Sequence, residues 1–284
     1  MKKIKIITDA SCDFPIELRN KYNVEIVALH VSLDSVNYVY GDVVPGLLPL
    51  ETQDFYESMA KMSSLPKTAC PSVNWISEKF SCRDDIIFIT LSSKLSATYE
   101  TAVMAKNEHN EKGHKNRVYV LDSLSGCAGT GSLVLLACQL REQGLSFDDI
   151  VTKLESKKSN IVCYGYLETL DNAIKGGRVS PVAGFVAGAL NIKPIIHVTD
   201  GKVVPVDKAR GTNSAINKLV DYVNNNVDFD NRDYAIVCHA NAPINAAKVK
   251  SALMAIGFKE VFISIIGPVM GTYTASDAVI IGVL

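Results

Sequence analysis

The sequence has almost no net charge, no long apolar run and none of the common catalytic signatures. Lys and Arg number 29 against 30 Asp and Glu, a formal net charge of −1 over 284 residues. Without a basic field, neither nucleic acid nor an anionic membrane surface is indicated. No apolar stretch reaches the length of a membrane span. The first residues, Met1-Lys-Lys-Ile-Lys-Ile-Ile-Thr-Asp, resemble a secretion signal for three positions only before Lys5 and Asp9 interrupt them, so they read as a strand. Seven cysteines (Cys12, Cys70, Cys82, Cys127, Cys138, Cys163 and Cys238) are scattered, odd in number and without C-x-x-C spacing. That pattern argues against a zinc site or a disulfide frame, and the expectation is reduced thiols in a cytosolic protein. The sequence lacks a P-loop, a G-x-G-x-x-G after a strand, a G-x-S-x-G elbow and any H-x-x-x-H pair. The nearest glycine string, Gly126-Cys-Ala-Gly-Thr-Gly, has the wrong spacing and fits close helix packing. Histidines 109 and 114 lie in a charged segment and read as solvated, while His197 and His239 read as polar strand-end residues.

What is present is an alternation of strand and helix patterns. Strands are expected at Lys3–Thr8, Val24–Val31, Asp85–Thr90 and Arg117–Leu121. Helices are expected at about Phe14–Tyr22, Thr52–Met62, up to Phe80, up to Glu111, from Asp122–Ser125 to Gln143, and at Ser146–Lys157. Asp13 is a natural cap for the first helix, and a hairpin is expected around Tyr38–Gly41. This alternation implies an α/β fold with a mostly parallel sheet covered on both faces. The pattern changes near Lys157–Asn160, where a boundary separates residues 1–158 from residues 159–284. The second part mixes short helices at Leu167–Ile174 and Pro181–Leu190 with a hairpin turning at Thr199-Asp-Gly. Helix and strand patterns then alternate to Val279–Val283, which makes this half α+β.

Chemistry concentrates in hydroxyl-rich turns that follow strands. The clearest is Leu91-Ser-Ser-Lys-Leu-Ser-Ala-Thr-Tyr-Glu-Thr-Ala, where Ser92, Ser93, Ser96 and Thr98 stand between a buried strand and a helix. Such a turn, at the carboxyl end of a parallel strand, is where open α/β sheets bind ligands, and its free N–H groups suit an anion. One hydroxyl there serves as an ordinary cap. Similar turns lie at Thr8–Ser11, Thr68–Ser72, Asp122–Ser125 and Thr272–Thr274. Two cations, Arg178 after a Gly-Gly pair and Arg210 after the hairpin, join them. Neutral donors with a few cations suit a carboxylate or a phosphate. No nucleophile stands with an attached base.

These residues, in order, resemble the DegV family, the fatty-acid-binding subunits of a bacterial fatty acid kinase. The matching segments are Ile7-Thr-Asp-Ala-Ser-Cys-Asp-Phe, Lys67-Thr-Ala-Cys-Pro-Ser, Leu91-Ser-Ser-Lys-Leu-Ser-Ala-Thr-Tyr and Asp122-Ser. In the second half they are Leu170 to Lys175-Gly-Gly-Arg-Val-Ser, Leu190-Asn-Ile-Lys-Pro-Ile-Ile, Lys208-Ala-Arg and Ile266-Gly-Pro-Val-Met-Gly-Thr-Tyr-Thr. The resemblance implies an N-terminal three-layer α/β/α domain, a C-terminal α+β domain and a ligand between them. That ligand is a long-chain fatty acid, with its acyl chain buried and its carboxylate presented to a separate kinase. On this model the chain is a carrier without catalytic residues, metal or cofactor. Carried over by position, Thr68 and Ser96 hold the carboxylate. Ser72, Arg178, Arg210 and Thr272 are secondary head-group or kinase-facing residues. Three positions depart from the family's usual pattern: Ala10 stands for Ser, Ala97 for Gly, and Tyr273 for a His that binds the head group in relatives. Tyr273 still offers a hydroxyl donor but cannot become cationic.

A buried acyl chain needs a tunnel with small side chains at its wall. The Ala- and Gly-rich stretch containing Ala183, Phe185, Val186, Ala187 and Leu190 is the candidate, with close packing of a helix on a sheet as the alternative. Two other classes of function stay open at this point: an enzyme acting on a small phosphate ester in the same cleft, and a sensor of another anionic amphiphile.

Overall fold

The computed structural model describes residues 3–181 and 191–284, so the tunnel candidates Ala183, Phe185, Val186, Ala187 and Leu190 lie outside the described residues. In chain order the first half contains β1 (Ile4–Asp9), α1 (Ile16–Tyr22), β2 (Glu25–Val27), β3 (Leu29–Leu33), β4 (Val36–Tyr40), β5 (Leu48–Pro49), α2 (Thr52–Met59), β6 (Lys67–Ala69) and α3 (Val73–Phe80). It continues with β7 (Asp85–Thr90), α4 (Thr98–Glu111), β8 (Val118–Asp122), α5 (Ala128–Glu142) and α6 (Phe147–Lys157). The second half contains β9 (Val162–Tyr166), α7 (Asp171–Lys175), β10 (Ile192–Thr199), β11 (Lys202–Arg210), α8 (Thr212–Asn226), β12 (Tyr234–His239), α9 (Pro243–Ala255), β13 (Glu260–Ile265), α10 (Pro268–Thr274) and β14 (Val279–Val283).

Three sheets result among the described residues. The first is wholly parallel, in the order β2-β1-β7-β8. Its central strand β7, Asp-Ile-Ile-Phe-Ile-Thr, is buried at every position. That is why its sequence is a continuous apolar run and does not alternate. The second sheet is mixed, in the order β11-β10-β9-β14-β12-β13, with β12 and β13 parallel and the other pairs antiparallel. Helix α5 lies between these two sheets, contacting β1 and β7 on one side and β14, β12 and β9 on the other. Its small residues make this approach possible. A Cβ on Gly282 of β14 would overlap the carbonyl of Ala128, and one on Gly129 would overlap Ser125 and crowd Cys163. The Gly126–Gly131 string is therefore packing, as its spacing suggested.

The third sheet, β5-β4-β3-β6, corrects two expectations. Val24–Val31 is not one strand. It breaks at Ala28, so that β2 joins the parallel sheet while β3 pairs with β4 and β6. Both pieces are largely buried, so no polar residue marks the crossing. The hairpin turns at Asp34–Ser35, with Asp34 in the left-handed region (φ +51°), rather than around Tyr38–Gly41.

Three further differences have local causes. Asp13 does not cap α1, whose N-cap is Pro15 without a side-chain bond. Helix α5 starts only at Ala128 because Asp122, Ser123 and Leu124 (φ +51°) form a turn in which side chains take the backbone N–H groups. His109 is not solvated: its ring is buried, bonds Asn116 and stacks on His114. The hairpin β10–β11 does turn at Thr199-Asp-Gly, with Asp200 and Gly201 both at positive φ, as a two-residue turn requires. Among the described residues, no helix is long and apolar enough to cross a membrane.

Candidate functional site

A cavity of about 280 Å³ lies where the parallel sheet, the mixed sheet and the small sheet meet. Its wall is mostly aliphatic, with Leu29 from β3, Leu95, Ile196 and Val198 from β10, Met270 from α10 and Ile280 from β14. Thr68, Ser96, Arg178 and Tyr273 stand in the same wall, and Arg178 is the one charged side chain among the described residues that line it.

Each polar group is brought there by its element. Thr68 sits on β6, opposite Val31 of β3. Tyr273 comes from α10, and its hydroxyl lies 2.7 Å from the Thr68 hydroxyl. The Tyr273 ring lies 4.7 Å beneath the Arg178 guanidinium. It can lie there because residue 176 is glycine: a Cβ at Gly176 would come within 2.5 Å of that ring. Arg178 is fixed in turn by donating from Nη1 to the carbonyl of Gly176 (2.6 Å) and from Nε to that of Leu95 (3.2 Å). The second bond ties the cation to the residue before Ser96. A guanidinium has five N–H donors, so these two bonds leave it capacity for an anion.

The four hydroxyls of the Leu91–Thr98 segment divide their work. The Ser92 hydroxyl donates to the carbonyl of Gly201 (2.8 Å), and Lys94 Nζ donates to that of Asp200 (2.7 Å). Together they fasten the β10–β11 hairpin, and with it Val198 and Val203, over the cavity. The Ser93 N–H donates to Asp122, which anchors the turn to β8. The Ser96 hydroxyl accepts from the N–H of Thr98, the first residue of α4 (3.3 Å), and pairs with the Thr98 hydroxyl at 2.9 Å, while the N-cap position itself is Ala97, without a side-chain bond. Of the four, Ser96 is the one in the cavity wall.

The structure thus brings Thr68, Ser96, Tyr273 and Arg178 together. It does not bring Ser72, Thr272 or Arg210 into the wall. Ser72 caps α3 by accepting from Trp75 N (3.3 Å). The buried Thr272 hydroxyl donates to the carbonyl of Pro268 one turn back in α10 (2.9 Å). Arg210 is exposed at the end of β11, opposite Ile192.

Sequence reasoning missed most of the apolar wall and two thiols, Cys70 and Cys127. Leu29, Ile196 and Ile280 read as ordinary strand interior, and nothing in a strand pattern says which face meets a cavity. It also missed two buried carboxyls. Asp9 accepts from Leu91 N (2.8 Å) and from Ser11 N (3.0 Å) and hydroxyl, tying the end of β1 to the end of β7, and burial raises its pKa. Asp13 accepts from Gly267 N (2.8 Å) and from the Cys127 thiol (3.3 Å), and burial pushes its pKa up to about 8. The available signal was the double acid of Asp9-Ala-Ser-Cys-Asp in a segment that folds into the core. Among the described residues, no group of three or more His, Cys, Asp or Glu could hold a metal ion.

Comparison with known proteins gives the family. The DegV family model, described as uncharacterised protein, DegV family, matches residues 3–284. A DegV domain-containing protein (TTE1491) of Caldanaerobacter subterraneus subsp. tengcongensis is 30% identical over 284 residues, covering 98% of this chain and 97% of that one. A Thermotoga maritima protein named fatty acid-binding protein is 28% identical, covering 99% of this chain and 97% of its own length. A crystal structure of a DegV family protein from Ruminococcus gnavus, refined with vaccenic acid, superposes with a TM-score of 0.90 at 29% identity and covers 99% of both chains. With the family pattern running almost from end to end, and the same fold in a solved relative, the chain belongs to the DegV family.

Proposed function

We propose that this chain binds a long-chain fatty acid in the cavity, with the carboxylate at Thr68, Ser96 and Tyr273 and the acyl chain along the aliphatic wall. The observation that carries the reading is the division of that wall: among the described residues, hydroxyls and a single cation, Arg178, stand in a mostly apolar lining. An amphiphile with one negative end matches it. Relatives support the choice of ligand, since one bears the name fatty acid-binding protein and another was refined with vaccenic acid. The head-group set departs from the family's usual one at Tyr273, whose hydroxyl replaces an imidazole as donor and whose ring carries Arg178.

The apolar part supplies the affinity. A long acyl chain removes about 14 methylenes from water at roughly 0.8 kcal/mol each, a ceiling near ~11 kcal/mol before ordering costs. Lipid bound on those terms survives purification. From the sequence alone, the Ala- and Gly-rich stretch 183–190 is kept as the candidate for the acyl tunnel, so that a bulky replacement such as Ala187→Trp is expected to shorten the preferred chain.

We also propose that the two halves, residues 1–158 and 159–284, act as domains holding the ligand between them. The chain performs no phosphoryl transfer itself and presents the carboxylate to a separate kinase in the cytoplasm. Arg210, exposed at the end of β11, is the residue proposed to face that partner. Thr272, within α10, supports the helix that carries Tyr273, while Ser72, the cap of α3, is kept as a secondary head-group or kinase-facing residue.

The deciding experiment is purification without added lipid, denaturing extraction and mass spectrometry. A stoichiometric fatty acid is the expected result. A protein that is empty and takes up no added fatty acid would end this reading.

A further inference from the structure

The motif Asp9-Ala-Ser-Cys-Asp13 plays no part in the site as described so far, and Asp13 in particular has no local task. It is 6% exposed, left-handed (φ +48°) and turned away from the helix its position suggests it should cap. A buried carboxyl is costly unless it is paired or well bonded, and among the described residues no cation is paired with Asp13. Its partners are instead Cys127, which lines the cavity, and Gly267, the residue before α10. One carboxyl oxygen accepts from Gly267 N at 2.8 Å, and the other accepts from the Cys127 thiol at 3.3 Å.

Both partners are structural corners. Gly267 is the residue before α10, and that helix carries Val269, Met270, Tyr273 and Thr274 into the cavity. The peptide before it is held just as closely. The carbonyl of Ile266 accepts from the Tyr56 hydroxyl (2.9 Å), its N–H donates to the carbonyl of His239 (2.8 Å), and the Tyr40 ring occupies the space a side chain at Gly267 would need. Cys127 is the N-cap residue of α5, at φ +48° and ψ −128°, and is itself in the wall. Non-glycine residues rarely adopt that conformation and hold it only where their surroundings enforce it. One side chain, four residues beyond β1, thus joins Gly267 before α10 to Cys127 at the start of α5.

We propose that Asp13 is a positioning residue of the ligand site, setting α10, and through it the Tyr273 hydroxyl and ring, against Thr68 and Arg178. This rests on the fatty-acid reading for its functional consequence but not for its geometry. Asp13 touches no ligand; it acts through Gly267 and Cys127. Ionising groups face it from each packed element: Asp9 and Cys12 on its own segment, Tyr40 on β4, Tyr56 on α2, Cys127 at the start of α5, and Cys238 on β12. Burial pushes the thiols and phenols among them upward, so Asp13 is the group expected to change charge near pH 8.

The test uses the full chain and two readouts. In the first, fatty acid affinity is measured for Asp13→Ala, Asp13→Asn, Tyr273→Phe and the double variant Asp13→Ala/Tyr273→Phe. Asp13→Ala is expected to bind about tenfold more weakly. Asp13→Asn, which keeps an acceptor for Gly267 N, is expected to stay within about threefold of the wild type. Because Asp13 acts through Tyr273, the double variant is expected to be no weaker than Asp13→Ala alone. Losses that simply add would overturn the proposal. The second readout needs neither lipid nor the alanine variant. The methionine methyl groups are labelled with 13C, the resonance of Met270 on α10 is assigned by its loss in Met270→Leu, and it is followed from about pH 6 to about pH 9. The resonance is expected to move with pH in the wild type and to stay flat in Asp13→Asn. A Met270 resonance that keeps its wild-type position and pH course in both Asp13→Asn and Asp13→Ser, the second of which takes the acceptor out of reach of Gly267 N, would refute the positioning role even if Asp13→Ala fails to fold. A wild type that binds no fatty acid but shows the shift would count against the proposed function alone.

Discussion

The hydroxyls of Thr68 and Tyr273, 205 residues apart, lie 2.7 Å from one another. One belongs to the small sheet of the first half, and the other to the short helix before the last strand. In the absence of an anion they satisfy each other. A carboxylate placed between them would receive two O–H donors without either side chain having to travel far. Tyr273→Phe removes one of those donors and leaves the ring under Arg178. A neutral hydrogen bond contributes about 1 kcal/mol, so the expected loss in fatty acid affinity is roughly fivefold. Displacement of a fluorescent fatty acid measures it, and an unchanged affinity would remove Tyr273 from the head-group set.

Arg178 predicts a dependence on ligand charge. Arg178→Gln keeps a polar chain of similar reach but loses the cation and its stack on Tyr273. Charge-assisted hydrogen bonds contribute about 1.5–3 kcal/mol, so affinity for a fatty acid is expected to fall by roughly ten- to a hundredfold. Affinity for the methyl ester of the same acid is expected to change little. Titrating both ligands against both proteins separates the two terms. Equal losses would mean that Arg178 shapes the cavity without reading the carboxylate.

Much of the fold was legible because its parts obey local rules. The run Asp85–Thr90, the helix after it and the hairpin at Thr199-Asp-Gly each carry their own signal in period or turn chemistry. The site was legible in part, through its hydroxyl turns. Of the four hydroxyls after β7, Ser96 lines the cavity, and Ser92 is occupied by a carbonyl 109 residues away. No local pattern distinguishes these two uses. The crossing at Ala28 and the inward turn of Asp13 were not legible for the same reason. Each is decided by a partner distant in sequence: β6 for the first, Gly267 for the second.

Gly176 tests the packing beneath the head group. Its backbone is ordinary, so alanine there is not strained by conformation. The added methyl meets the Tyr273 ring within 2.5 Å, with the carbonyl of Asn172 at 3.1 Å on another side. Overpacking of this kind typically costs about 1–3 kcal/mol. Gly176→Ala is therefore expected to lower the urea midpoint and weaken fatty acid binding together. Pairing it with Tyr273→Phe, which leaves the ring in place, should not relieve the loss, whereas Tyr273→Ala should. Failure of Tyr273→Ala to restore stability would show that the contact with Asn172 dominates.

The last prediction concerns pH, and its sign follows from Asp13. The folded protein raises that carboxyl from the usual range near pH 4 up to about 8, because burial disfavours its charged form. Between those values the folded state holds a proton that the unfolded state has released. Stability therefore falls as pH rises across that window and levels off above about 8. Asp9, raised by burial as well, contributes in the same direction. Asp13→Asn cannot ionise and keeps the acceptor for Gly267 N, so its urea midpoint should fall less steeply between pH 5 and pH 9 than that of the wild type. Its largest relative gain should appear at the alkaline end. Parallel profiles for the two proteins would mean that Asp13 ionises in the folded state much as it does in the unfolded chain. In that case water reaches the junction of β1, α5 and α10.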